Sequence, residues 1–149
     1  MFERIVAAID SDPERSARVV QAAQELAQKF GSAVVVAHVR DVERPQALVA
    51  PSARPGALQP VMHFESEEEA RALVDTAVAR LRGAGVRADG QVAPGTTGST
   101  ARELLAIAQS HGATLIVVGD RDSRVTDVLL GGVAHRIVHL AECPVLLVR

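Results

Sequence analysis

Four short apolar runs limit the fold of this chain more than any other feature: Ile5 to Ile9, Ala33 to Val39, Leu115 to Val118 and Val145 to Val148. None shows the strict alternation of a strand with one wet face, so each suits a parallel strand buried on both faces. A fifth segment, Val86 to Ala93, is more polar, with Asp89 and Gln91 alternating with Ala88 and Val92, as on an edge strand. Amphipathic helical patterns separate the strands. The order is βαβ, a long connection, then αβαβαβ, and parallel strands joined this way carry helices on both faces of their sheet. The expected architecture is a three-layer α/β/α sandwich, built as one domain over residues 1–149.

Local signals mark the helix ends. Asp12-Pro13 reads as an N-cap followed by proline at the first helical position, and Gly31 as the stop. Between them Val19, Val20, Ala23, Leu26, Ala27 and Phe30 share one face. Ser66 and Glu69 form a capping-box pair ahead of a second helix, whose apolar face is Ala70, Leu73, Val74, Ala77, Val78 and Leu81. Glu65, Glu67 and Glu68 crowd its start, and Arg80 and Arg82 sit near its end. That polarity suits the helix dipole, so the glutamates read as helix support rather than as a metal or catalytic cluster. Thr100 and Glu103 are a possible cap for a third helix, with Leu104, Leu105 and Ala108 inward. A fourth helix starts at Thr126-Asp127 and turns Leu129, Leu130, Val133, Ile137, Val138 and Leu140 to its buried side. Residues 41–62 carry Pro45, Pro51, Pro55 and Pro60 and keep no period. They read as a long mobile connection, either a lid over a site or a solvated spacer.

Composition narrows the function classes. Aromatic residues make up 2% of the chain, with no Trp and no Tyr, which counts against stacking platforms for single-stranded nucleic acid. A formal charge of −2 and a pI near 6.2 leave no basic footprint for DNA or RNA. No apolar run approaches the roughly 20 residues of a membrane span, and the strand-like start Met1-Phe2-Glu3-Arg4-Ile5 is not a secretory signal. One cysteine, Cys143, allows no internal disulfide, and a cytoplasmic protein is expected.

Ile5-Val6-Ala7-Ala8-Ile9-Asp10, Leu115-Ile116-Val117-Val118-Gly119, Leu129-Leu130-Gly131-Gly132-Val133-Ala134 and Cys143-Pro144-Val145-Leu146-Leu147-Val148, in this order, resemble the universal stress protein family over essentially the whole chain. The resemblance implies an adenine nucleotide α-hydrolase-like fold: a five-stranded parallel sheet in the order 3-2-1-4-5, with a switch point between strands 1 and 4. Open α/β sheets bind ligands beyond the carboxyl ends of their strands at such a point. Asp10-Ser11 and Gly119-Asp120 would face one another there. The resemblance also implies a homodimer through the last strand, Val145 to Val148, whose apolar edge invites association.

ATP-binding relatives carry Gly, two residues, Gly, nine residues, Gly, then Ser or Thr. Glycines let the backbone approach phosphate oxygens, and the hydroxyl adds a hydrogen bond at the helix start. By this resemblance Asp10 matches the acid that holds the adenine or ribose side, Val39 the backbone contact to adenine after His38, and Gly119 the first glycine. The second position is Asp122. Eight residues then precede Gly131, and Gly132 stands in place of the hydroxyl. If Gly132 is instead the third glycine, nine residues intervene but Val133 replaces the hydroxyl, so neither register restores the motif. Asp120 and Asp122 would lie near a polyphosphate, and like charges about 5 Å apart cost roughly 1 kcal/mol at an effective dielectric near 60. Arg121 and Arg124 offset this, since arginine pairs well with phosphate, and the magnesium carried by ATP can take an aspartate as ligand. The expected cofactor-binding set is therefore Asp10, Val39, Gly119, Arg121, Arg124, Gly131 and Gly132, in a degenerate site that binds ATP weakly or not at all.

Other residues have plainer readings. Asp10 is either a cap for the first helix or a ligand contact, since both place a carboxylate before N–H donors. His135 and His139 share a helix face at the spacing of a metal pair, but no third ligand joins them in a recognisable pattern, and an exposed face or cations near a helix C-terminus is the better account. Cys143 reads as a small core residue rather than a reactive thiol. Gly95 to Thr100 reads as a turn with an N-cap rather than an anion site. No GxSxG, HExxH or Walker A sequence is present. Related enzymes that adenylate substrates carry a Ser/Gly-rich loop after strand one, where this chain has Asp10-Ser11-Asp12-Pro13. A non-enzymatic regulatory protein, binding unidentified protein partners, is the leading expectation. The alternative is an ATP switch in which nucleotide orders residues 41–62 and 120–126.

Overall fold

The continuous apolar runs become the centre of one sheet. A computed structural model describes residues 1–42, 64–96, 98–120 and 132–149. β1 (Arg4–Ile9), β2 (Ala33–Asp41), β3 (Arg87–Gly95), β4 (Leu115–Gly119) and β5 (Val145–Val148) pair in the order β3-β2-β1-β4-β5, all parallel. This is the strand order implied by the resemblance to the universal stress protein family. In register, Ala7 of β1 lies between Val36 of β2 and Val117 of β4. The helices are α1 (Pro13–Phe30), α2 (Glu67–Gly83), α3 (Thr100–Ser110) and α4 (Val133–Leu140).

Side chains along β1 alternate between two cores, and that explains why its sequence does not alternate. Ile5, Ala7 and Ile9 pack with Val19, Val20, Ala23 and Ala27 of α1 and Val74, Val78 and Leu81 of α2. Val6 and Ala8 pack on the other face with Leu104, Ile107 and Ala108 of α3 and Ile137 of α4. The three layers follow. β3 carries a glycine where α2 comes close: a Cβ at Gly90 would lie 2.2 Å from Val74 Cγ1.

Most helix ends follow the sequence signals. The Asp12 side chain accepts the Arg15 backbone N–H, Pro13 opens α1, and Gly31 closes it at φ +68°, a left-handed conformation that favours glycine. Ser66 and Glu69 make the reciprocal capping box on α2. Four expectations need correction. β3 runs two residues past Ala93, to Gly95. The cap of α3 is Ser99, not Thr100 with Glu103, and its hydroxyl turns back to accept Thr96 N–H at 2.8 Å. Phe30 is 52% exposed, stacked edge-on against Phe2. Among the described residues of α4 only Ile137 is buried, while Val133, Val138 and Leu140 are 39%, 45% and 64% exposed. α4 lies at the β4–β5 end of the sheet beside α3, so only one side of it has a layer to pack against. The expected helix start at Thr126-Asp127 and most of the 41–62 connection lie outside the described residues.

Candidate functional site

The carboxyl ends of β1 and β4 lie side by side where the chain direction diverges. Ala8 pairs with Val118, so Ile9-Asp10 and Gly119-Asp120 leave the sheet together. His38 of β2 pairs with Ile9, which brings Val39 to the same level as Asp10. Asp10, Val39 and Gly119 therefore share one end of the sheet. Gly132 caps α4 without a side-chain bond, at φ −54°. Arg121, Arg124 and Gly131, like Asp122, lie outside the described residues.

Asp10 does not cap α1. It organises the residue that does: Asp10 Oδ1 accepts the Asp12 backbone N–H at 2.9 Å, and Asp12 Oδ1 accepts Arg15 N–H at 2.9 Å. The Ser16 hydroxyl donates to the Asp10 carbonyl at 2.8 Å and accepts Asp10 N–H at 3.1 Å. The turn after β1 is thus bound at three points to the start of α1 and braced internally by the Asp10–Asp12 bond.

Arg15 completes this cluster, and the sequence reading passed over it. Its Nε donates to Asp10 Oδ2 at 2.6 Å, and Nη1 lies 3.5 Å from Asp12 Oδ2. A cation in the first turn opposes the helix dipole, and the two carboxylates offset that. Its stem crosses to β4: a Cβ on Gly119 would lie 2.3 Å from Arg15 Cγ and 2.7 Å from Cδ. Gly119 is small because Arg15 lies on it. The Arg15 side chain is only 15% exposed. The available signal was an arginine three residues after a capping aspartate and five after a strand-end aspartate.

The Arg15 backbone N–H holds the Asp12 carboxyl below its ordinary value; desolvation opposes it, and the Arg15 charge adds a smaller pull in the same downward direction. A carboxyl depressed in the folded state contributes stability above its unfolded value, and that stability is lost as pH falls through the folded value. Asp12→Asn keeps a capping side chain but removes the proton. We expect it to be less stable than the native chain at pH 7 and to flatten the acid limb below about pH 4, so that the two converge at low pH, as read by urea unfolding across pH.

His38, which the sequence places only beside the backbone contact at Val39, has a second role that the sequence does not show. It interrupts an apolar strand and is 3% exposed, so it needs polar partners. Nδ1 donates to the Ile9 carbonyl at 3.0 Å, and Nε2 lies 2.7 Å from Glu65 Oε2. A carbonyl only accepts, so Nδ1 carries a proton, and the second contact needs another proton between ring and carboxylate. Glu65 is accordingly not simple helix support. It precedes the Ser66 cap and ties the start of α2, through His38, to the last residue of β1.

At the outer edge of this sheet end, Asp120 N–H donates to the Val148 carbonyl at 2.9 Å, and the Asp120 carboxylate lies 3.5 Å from Arg149 Nε. Arg149 is 84% exposed, so the pair contributes little. The Ser99 hydroxyl is engaged within the turn after β3, in keeping with the turn-and-cap reading of that segment. The His135 and His139 rings meet edge-on at 4.3 Å, and among the described residues no three His, Cys, Asp or Glu side chains form a metal-binding group. Burial, and then the Glu142 charge, pushes the Cys143 thiol up, as suits a half-buried residue packed beneath α3 and α4. Two open depressions of about 280 and 270 Å³ lie at the opposite, amino ends of the strands, beside Gly31 and Gly85 and beside Arg4 and His111. Among the described residues no helix is long and apolar enough to cross a membrane.

Known proteins share this fold. The chain is 32% identical over 156 residues to universal stress protein YxiE of Bacillus subtilis, with all of both chains covered. A crystal structure of a universal stress protein family member from Burkholderia pseudomallei superposes with a TM-score of 0.70 at 27% identity, covering 99% of this chain and 96% of the other. A universal stress protein crystallised in complex with cAMP superposes with a TM-score of 0.73 at 20% identity, covering 99% and 97%. The profile of the universal stress protein family matches residues 1–149, and the chain belongs to that family.

Proposed function

We propose that this chain is a regulatory protein that acts by binding rather than turnover, and that its switch-point crevice takes an adenine nucleotide weakly. The proposed ligand set is Asp10, Val39, Gly119 and Gly132, with Arg121, Arg124 and Gly131 toward the phosphates. A structural neighbour crystallised with cAMP supports an adenine nucleotide as the ligand class. The observation that carries weak binding is the Arg15 guanidinium on Asp10, with its stem on Gly119. Asp120 adds a carboxylate at the same sheet end. Equilibrium dialysis against ATP and magnesium is expected to give a dissociation constant above about 100 μM, a binding free energy weaker than about −5.5 kcal/mol. A micromolar constant, with ATP protecting residues 41–62 and 120–126 from protease, would favour the nucleotide switch instead. Sustained ATP hydrolysis abolished by Asp10→Ala would overturn the non-enzymatic reading.

The protein is further proposed to be cytoplasmic, one domain over residues 1–149, and a homodimer that contacts other proteins. The support for dimerisation is local. β5 is an edge strand, and Leu146 and Leu147, on its opposite faces, are each 38% exposed. An apolar edge of this kind presents both unpaired backbone groups and apolar area. α4, with its exposed Val138 and Leu140, contacts the same strand.

A further inference from the structure

We propose that Arg15 is the resident occupant of the switch-point crevice and sets its affinity: a nucleoside enters only by lifting the guanidinium off Asp10. This rests on the reading of the crevice as an adenine nucleotide site and explains why binding there is weak.

Both oxygens of Asp10 already carry donors. Oδ1 holds the Asp12 backbone N–H and lies 3.4 Å from the Ser16 hydroxyl, and Oδ2 holds Arg15 Nε. The carboxylate keeps spare acceptor sites, but a ligand that packs against Oδ2 and Gly119 together meets the Arg15 guanidinium and its stem. The Asp12 N–H belongs to the backbone turn that starts α1 and cannot leave without unwinding its cap, and the Ser16 hydroxyl is tied to both the N–H and the carbonyl of Asp10. Arg15 is a side chain on rotatable bonds, and it is the member of the cluster that is free to move. The opposite wall gives the same answer. Gly119 presents bare backbone to the crevice, but the Arg15 stem covers it closer than any side chain at 119 would allow. One side chain therefore blocks the hydrogen-bonding wall at Asp10 and the close-approach wall at Gly119.

The occupant is held by charge. Nε on Asp10 at 2.6 Å is a charge-assisted hydrogen bond with the Arg15 side chain only 15% exposed, and Asp12 stands 3.5 Å from Nη1. A neutral ligand replaces an ion pair with uncharged donors, and both aspartates and the guanidinium have to find water as it does so. Removing the guanidinium removes that penalty and opens the space over Gly119.

The test uses adenosine, which carries no phosphate and so separates displacement of Arg15 from charge repulsion by Asp120. Calorimetric titration of the native chain and of Arg15→Ala is expected to show adenosine binding about tenfold or more tighter in the variant, the size of one charge-assisted hydrogen bond. In the native chain, the Arg15 Nε–H resonance is expected to exchange slowly with solvent and to lose that protection as adenosine saturates the site. This second readout needs no variant and keeps the test intact if Arg15→Ala folds poorly. Adenosine binding no tighter in Arg15→Ala, or an Nε–H signal unmoved at saturation, would overturn the role of Arg15 while leaving nucleotide binding in place. Absence of binding by ATP, cAMP and adenosine to both proteins would overturn the nucleotide reading and this inference together.

Discussion

Leu147→Asp is expected to leave the chain monomeric at concentrations where the native chain sediments as a dimer. Among the described residues β5 pairs on one side only, with β4, and a second copy set against its free edge would satisfy the unpaired backbone groups and cover Leu146 or Leu147. A carboxylate placed there loses its water without gaining a partner, and desolvating an unpaired charge costs several kcal/mol. A penalty of about 3 kcal/mol weakens association about a hundredfold. The fold itself should survive, because Leu147 is already 38% exposed in the isolated chain. Leu146→Asp places the same charge on the opposite face of the strand, so the pair of variants reports which helical layer faces the partner. Sedimentation velocity decides the matter: a native monomer, or two variants that remain dimers, would sink the β5 interface.

Ile137→Ala is expected to destabilise the chain by about 2–5 kcal/mol, the range for truncating a large aliphatic side chain in a packed core, and to release α4 first. This helix has eight residues, shorter than the roughly 12–15 an isolated helix needs, so its existence depends on docking. Ile137 is its only fully buried side chain among the described residues and packs with Leu104, Ile107 and Val118. Alanine leaves a cavity between α3, α4 and β4. Hydrogen exchange should then show the amides of Val133–Leu140 opening well below the global unfolding free energy, with α1 and α2 protected as before. Val138→Ala, at a position 45% exposed, is the control and should change stability little. Equal loss of protection across all helices would contradict α4 being an independently docked unit.

Much of the fold was legible because the central strands β1, β2 and β4 are buried on both faces. By contrast β5, expected to be buried as well, leaves Leu146 and Leu147 on opposite faces 38% exposed at the sheet edge. Ile5 to Ile9 contains five apolar residues in a row because successive side chains enter two different cores, and that burial is itself the signature of a parallel sheet. Asp12-Pro13, Gly31 and the Ser66–Glu69 pair were readable because caps act through residues three or four apart in sequence. Burial on α4 was not readable. Val133, Val138 and Leu140 carry the same apolar character as Ile137, and nothing local says that the neighbouring layer ends before it reaches them. The cap of α3 was misplaced because Ser99 and Thr100 are equally plausible caps, and a contact back to Thr96 selected one of them.

The candidate site divides along the same line. Sequence alone placed Asp10 and Gly119 at the ends of two strands and exposed the loss of the glycine–hydroxyl pattern after Gly119, because both depend on residue type and spacing. Only the folded chain set Arg15 between them and joined His38 to Glu65, since these contacts link segments that spacing does not relate. A guanidinium in the first turn of a helix looks like solvent-facing charge until the strand beside it is found to end in glycine. Chemical identity is written locally, whereas what fills a crevice is decided by which distant surfaces the sheet order brings together.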